Sequence, residues 1–182
     1  MKIKNTIFQG VKIFSPSLFK DKRGFFFESY NKKLFKELVG TEISFVQDNH
    51  SESSKGVLRG LHYQMPPKGQ GKLVRVIKGE IFDVIVDIRK PSKTFGKWLG
   101  INISEHNKKQ IWIPEGFAHG FLTISDTAEC LYKTTDYYSS EHERGIIWND
   151  ENLDIKWPYD SNKIIISDKD LKNKSFKNQE YF

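Results

Sequence analysis

Apolar and polar residues alternate with a period of two along most of the chain, the spacing of β-strands that show one face to a core. The longest such run is Glu80 to Ile88 (EIFDVIVDI). It sets Phe82, Val84, Val86 and Ile88 on one face and Ile81, Asp83, Ile85 and Asp87 on the other. Further strands are predicted at Val11–Phe14, within Asp21–Tyr30, at Ile43–Asn49, in the segment around Leu58–Gln64 and at Leu73–Lys78. Gly96–Ser104, Gln110–Ile113, Gly120–Ile124 and Glu129–Thr135 continue the series. The period changes once, where Leu34, Phe35, Leu38 and Val39 fall at helical spacing, with Asn31 placed to cap the helix and Gly40 to end it. Many short strands, turn signals between them and almost no helix predict an all-β antiparallel sandwich or barrel. Residues 1–182 read as one domain, without repeats or linkers, and the last dozen residues as a short helix or docked tail.

Composition sharpens this picture in three ways. Fourteen phenylalanines suit a β-rich interior and stacking surfaces in a pocket. A net charge of +6 favours an anionic ligand, but no block of five Lys or Arg argues for nucleic-acid binding. The lysines from Lys163 to Lys177 alternate with Asp and Asn and read as a solvated edge. The lone Cys130, in a strand, excludes an intrachain disulfide and a cysteine-rich zinc site, and reads as a buried structural thiol. No apolar run approaches membrane-spanning length and MKIKNTIFQG lacks a signal core, so the expected location is cytoplasmic, without a membrane partner.

Candidate chemistry concentrates in Gly56–Lys72 (GVLRGLHYQMPPKGQGK). His62 there keeps company with Arg59, Gln64 and Lys72, and burying several cationic groups is costly unless the pocket receives an anion. On a regular strand Arg59 and His62 would face opposite ways, and a bulge at Gly60 could turn both inward. Lys72 shares a face with Val74 and Val76, which points its ammonium inward, although a strand-end lysine in solvent is the commoner case. A second cluster, Trp112–Phe121 (WIPEGFAHGF), carries the P-x-G-x-x-H spacing of the second cupin motif at Pro114, Gly116 and His119. The first motif would begin at His62, but Gln64 stands at its second histidine position and no carboxylate follows at Pro67, Lys68 or Gly69. Two imidazoles without a carboxylate make a poor divalent-metal site, so no metal is expected. Tyr132 lies on the face of Cys130 and Thr134. Arg23, Glu28, Gln47, Asp48 and Asn49 are polar groups in β-like segments, open to a structural or a ligand-facing reading.

Taken together, DKRGFFFES, FVQDNHSESSKGVLRGLHYQ, QGKLVRVIKGEIFDVIVDIRK, TFGKWLG, WIPEGFAHGF, LYKTTDYY and SDKD resemble, in order, the dTDP-4-dehydrorhamnose 3,5-epimerase family of cupin-fold sugar-nucleotide epimerases. The likeness runs from Val11 to about Asp170, leaving 171–182 as a tail. It implies a cupin-type antiparallel jelly roll with a few short peripheral helices. It also implies epimerisation at C3 and C5 of dTDP-4-dehydro-6-deoxy-D-glucose through an enolate, with no cofactor. By the same resemblance His62 is the general base, Asp170 its orienting carboxylate, Tyr132 the proton donor and Lys72 the enolate stabiliser. Arg23 and Arg59 match residues that contact the anionic diphosphate. Glu28, Gln47, Asp48, Asn49, His119, Glu143 and Lys169 match further ligand contacts. The family's Arg23 and Glu28 strand enters the neighbouring subunit's site, which implies a homodimer. Tyr138 or its neighbour Tyr137 would shape the pocket.

The implied chemistry is physically coherent, because a ketone acidifies the protons on both flanking carbons and a base, an acid and a cation then suffice. Competing readings are a single-site epimerase or ketoisomerase on the same fold, a metal-dependent cupin enzyme, and a sugar-nucleotide-binding module without catalysis.

Overall fold

The computed structural model describes residues 1–182. In chain order its strands are β1 (Lys2–Asn5), β2 (Lys12–Ser15), β3 (Phe19–Asp21) and β4 (Gly24–Phe26), followed by helix α1 (Lys32–Val39). Then come β5 (Gln47–Ser54), β6 (Leu58–Gln64), β7 (Lys72–Lys78), β8 (Glu80–Asp87) and β9 (Trp98–Ser104). β10 (Gln110–Ile113), β11 (Phe117–Thr123), β12 (Thr127–Thr134), β13 (Glu143–Gly145) and a one-turn helix α2 (Asp168–Leu171) complete the chain. Six strands pair in the order β1-β2-β10-β7-β12-β5, and five in the order β13-β6-β11-β8-β9. Every strand pairing is antiparallel. The two sheets face each other as a jelly roll, the all-β architecture that the alternating pattern predicts. No helix is long and apolar enough to cross a membrane.

The interior between the sheets holds Val74 and Val76 of β7, Ile81 and Ile85 of β8, Ile111 and Ile113 of β10, Phe117 and Phe121 of β11, and Cys130 of β12. Burial pushes the Cys130 thiol up to about 12, in keeping with a structural role. The opposite face of β8 is buried as well. Val84, Val86 and Ile88 lie beneath Leu153, Ile155, Trp157, Phe176, Tyr181 and Phe182. The last residues therefore form a docked tail: Tyr63 Oη donates to the Glu180 carbonyl at 2.6 Å, and Lys90 N to that of Phe182 at 3.0 Å. α1 is capped as expected, with Leu34 N donating to Asn31 Oδ1 at 3.1 Å and Gly40 closing the end at φ 87°. Eight residues make a marginal helix alone. Its stability comes from seating Phe35 against Phe14 and Trp112 on the outer face of the six-stranded sheet.

Three boundaries depart from the sequence pattern. β5 begins at Gln47 and runs to Ser54, whereas Ile43 and Phe45 pack into the aromatic cluster under α1 instead of pairing. The polar run HSESS alternates too weakly to announce a strand, yet it pairs along β12 from Leu131 to Thr127. β11 starts three residues earlier than expected, at Phe117. The edge strands β1 and β13, four and three residues long, carry too little apolar pattern to be seen. Of the 21–30 segment only Asp21 and Gly24–Phe26 are strand, in a β3–β4 hairpin (residues 19–26) that pairs with neither large sheet and leaves Phe19, Phe25 and Phe26 exposed.

Candidate active site

The site is organised by β6. Between it and β11 the register slips: His62 lies opposite His119, but Arg59 lies opposite Phe121, so three steps on β6 match two on β11. Gly60, at φ 122°, occupies the extra position, and a Cβ there would lie 2.5 Å from Gly120 Cα. The bulge lets Arg59 and His62 line one cavity of about 490 Å³, together with Lys72, His119, Tyr132, Lys169 and Asp170. The cavity is closed from an unexpected direction. Ile165 bridges to Val57 beside β6, with Leu58 N donating to the Ile165 carbonyl and Ile165 N to that of Gly56, both at 2.9 Å. That bridge carries Ser167, Lys169 and Asp170 to a histidine more than a hundred residues earlier.

Asp170 is buried, and its Oδ1 lies 2.5 Å from His62 Nε2. Gly60 N donates to the other carboxylate oxygen at 3.4 Å, and Ser167 Oγ accepts from Asp170 N at 3.1 Å. Burial disfavours the Asp170 charge, but the hydrogen bond and charge of His62 and the Gly60 amide outweigh it, and the carboxyl sits below its ordinary range. An ionised Asp170 accepts from His62 Nε2–H, which leaves Nδ1 as the basic nitrogen.

Lys72 makes one long contact, Nζ to the His62 carbonyl at 3.5 Å. Burial pulls its pKa from 10.5 down to about 8, against the pull of Glu143 and Asp83. Tyr132 is half-buried and its hydroxyl pKa is raised, mainly by burial. Arg59 bonds only neutral acceptors, Ser53 Oγ at 3.0 Å and the Glu52 carbonyl at 3.2 Å, so its charge is left to meet an anion.

A smaller cavity of about 160 Å³ shares His62, Lys72 and Tyr132 with the first and adds Gln47, Asn49, Gln64, Tyr138 and Glu143. Glu143 Oε2 accepts from Tyr138 Oη at 2.7 Å and from Lys169 Nζ at 2.6 Å. Burial opposes the Glu143 charge, but these two donors hold its pKa below the usual value. Lys169 stays exposed, as expected of the solvated lysine edge, while its ammonium reaches in to Glu143.

Not every expected residue gathers here. Asp48 points from the other face of β5 and pairs with Lys133 at 2.9 Å, beside Tyr30 and Arg75. Arg23 pairs with Asp21 on the exposed hairpin, and Glu28 accepts from Asn31 Nδ2 at 3.3 Å. Within one chain these three stand apart from the His62 cavity. Conversely, Asp83 was not singled out. Its carboxylate is fully buried, with Oδ2 2.7 Å from His119 Nε2 and Oδ1 unpartnered. A carboxylate set between Ile81 and Ile85 on one strand face was the available signal. Ser51, whose buried Oγ has no partner, also lines the larger cavity and left no trace in the pattern. No three His, Cys, Asp or Glu side chains converge as a metal-binding group.

The family model described as dTDP-4-dehydrorhamnose 3,5-epimerase matches residues 5–178. The chain is 56% identical over 182 residues to the dTDP-4-dehydrorhamnose 3,5-epimerase of Shigella flexneri, covering 100% of this chain and 99% of that protein. The crystal structure of the enzyme of that name from Elizabethkingia anophelis superposes with a TM-score of 0.95 at 45% identity, over 100% and 99% of the two chains. The dTDP-6-deoxy-D-glucose-3,5-epimerase of Legionella pneumophila, solved in complex with dTDP-4-keto-L-rhamnose, gives a TM-score of 0.94 at 49% identity, over 98% and 94%. Sequence and fold agree over essentially the whole length, and the chain belongs to the dTDP-4-dehydrorhamnose 3,5-epimerase family.

Proposed function

We propose that this protein is an isomerase that inverts C3 and C5 of dTDP-4-dehydro-6-deoxy-D-glucose, giving dTDP-4-dehydro-L-rhamnose. The observation that carries this reading is the His62–Asp170 pair at 2.5 Å, set in one cavity with the Lys72 ammonium and the Tyr132 hydroxyl. His62 Nδ1 removes the proton from a carbon flanking the C4 ketone, and the C–H electron pair becomes the carbon–carbon double bond of an enolate. Lys72 faces the oxygen on which the negative charge collects. Tyr132, kept protonated by burial, delivers a proton to the other face of the carbon and regains one from solvent. Asp170 orients the ring of His62 and stabilises the imidazolium as it forms, and His62 gives its proton to solvent before it acts at the second carbon.

The diphosphate meets Arg59 and His119. His119 is held for this by the buried Asp83, whose Oδ2 lies 2.7 Å from its Nε2. Remote binding of this kind holds the sugar ring while it reacts. Glu143, Gln47 and Asn49 contact the ring or its nucleotide from the adjoining cavity, and Lys169 does so from the larger one. Arg23, Glu28 and Asp48 fit the same scheme as contacts made across a homodimer. The exposed Phe19, Phe25 and Phe26 of the β3–β4 hairpin support a partner subunit there, since three such rings in water invite cover.

The test is proton NMR of dTDP-4-keto-6-deoxyglucose with the protein in deuterated water. Deuterium entering at both C3 and C5, and lost with His62→Ala while dTDP still binds, is the expected result. Exchange at one carbon would indicate a single-site epimerase. No exchange with dTDP bound would leave a binding module.

A further inference from the structure

The segment that follows β12, Asp136 to Ser139, belongs to no strand, yet glutamine side chains hold its backbone residue by residue. Gln70 Nε2 donates to the Asp136 carbonyl at 2.8 Å. Gln64 Nε2 donates to the Tyr137 carbonyl at 3.2 Å, and Gln64 Oε1 accepts from Ser139 N at 2.8 Å. Gln47 Oε1 accepts from Tyr138 N at 3.1 Å. Gln64 is the centre of this clamp. It is buried, sits two residues beyond His62 on β6, and spends its second amide proton on the Lys68 carbonyl at 2.6 Å. A primary amide can satisfy two carbonyls and an N–H at once, which neither a carboxylate nor an apolar side chain of that size can do. The clamp substitutes for the strand ladder that this segment lacks.

What it holds is Tyr138, a wall of the smaller cavity that His62, Lys72 and Tyr132 also line. We infer that Gln64 is a positioning residue which, by fixing the 136–139 turn, sets how the sugar ring presents its two exchangeable carbons to His62. This rests on the epimerase reading of the cavity. A single base must reach two carbons on either side of one ketone, so a displaced wall favours one over the other. Proton transfer is that sensitive to position: a misplacement of about 1 Å can cost on the order of 100-fold in rate.

The experiment measures deuterium exchange at C3 and at C5 separately, by NMR, for the wild type, Gln64→Met, Tyr138→Ala and the double variant, alongside thermal unfolding of each. Gln64→Met is expected to change the ratio of the two exchange rates by about tenfold, a part of the positional sensitivity above. In the Tyr138→Ala background the same change should add nothing to the ratio, because the wall it positions is gone. Equal slowing at both carbons, or effects that multiply in the double variant, would overturn the proposal and leave Gln64 a residue of general stability. Should Gln64→Met not fold, Gln70→Met loosens the same turn at Asp136 and enters the same cycle with the same criteria. Absence of exchange in the wild type would instead overturn the epimerase reading, and the role of Gln64 with it.

Discussion

At the scale of single residues, Lys72 is the group whose environment most changes its chemistry. Its inward direction was legible in the sequence, since it alternates in phase with Val74 and Val76. The depression of its pKa to about 8 was not, because that depends on neighbours from other strands. The ammonium is intact below about pH 8 and is lost above it. If it stabilises the enolate, kcat/KM falls as pH rises through 8. The corresponding limb in kcat lies higher, because the bound dianionic nucleotide favours the charged form. A pH–rate profile checks this, and a flat alkaline limb for kcat/KM to pH 9.5 would remove Lys72 from that role. The linked effect on stability has the opposite sense. Between about 8 and 10.5 the unfolded chain binds the proton that the folded chain has lost, so this group's contribution improves as pH rises through that window. Asp83 shows the limit of residue-level reading: its place between Ile81 and Ile85 was visible, but its partner His119 was found only by packing β8 against β11.

At the scale of elements, the β6 bulge matters most. Gly60 was recognisable as the one position in LRGLHYQ able to break the alternation, and the register slip occurs there. Gly60→Ala is expected to destabilise the fold by about 3 kcal/mol, since a Cβ meets Gly120 and the φ of 122° is strained for any L side chain. That corresponds to a fall in Tm of roughly 6–12 °C. Calorimetry of the purified variant decides it, and a change within 2 °C would mean that the bulge can be rebuilt around a methyl group. β5 was half legible. Its beginning was blurred by Ile43 and Phe45, whose apolar pattern serves the α1 cluster instead of the sheet, and its end by serines that carry no hydrophobic signal.

At the scale of the whole molecule, the exposed hairpin gives the homodimer proposal a sharp test. Homodimers of His62→Ala and of Arg23→Ala should each be impaired. If Arg23 serves the partner's site, mixing and re-equilibrating the two chains yields hybrids with one site free of both defects, and about one quarter of wild-type activity returns. Activity that stays at the average of the two parents would mean that Arg23 does not serve the partner's site. The sequence by itself determined the fold class, the capped helix, the inward face of β7 and, through its ordered motifs, the family. These follow from alternation, turn residues and local spacing, all of which are written along the chain. Tertiary structure decided what depends on distance through space. It brought Asp170 to His62 by way of the Ile165 bridge, set Asp83 against His119, and closed the glutamine clamp around Tyr138. Side-chain direction repeats locally and can be read; the meeting of segments a hundred residues apart is fixed only when the two sheets close on their shared core.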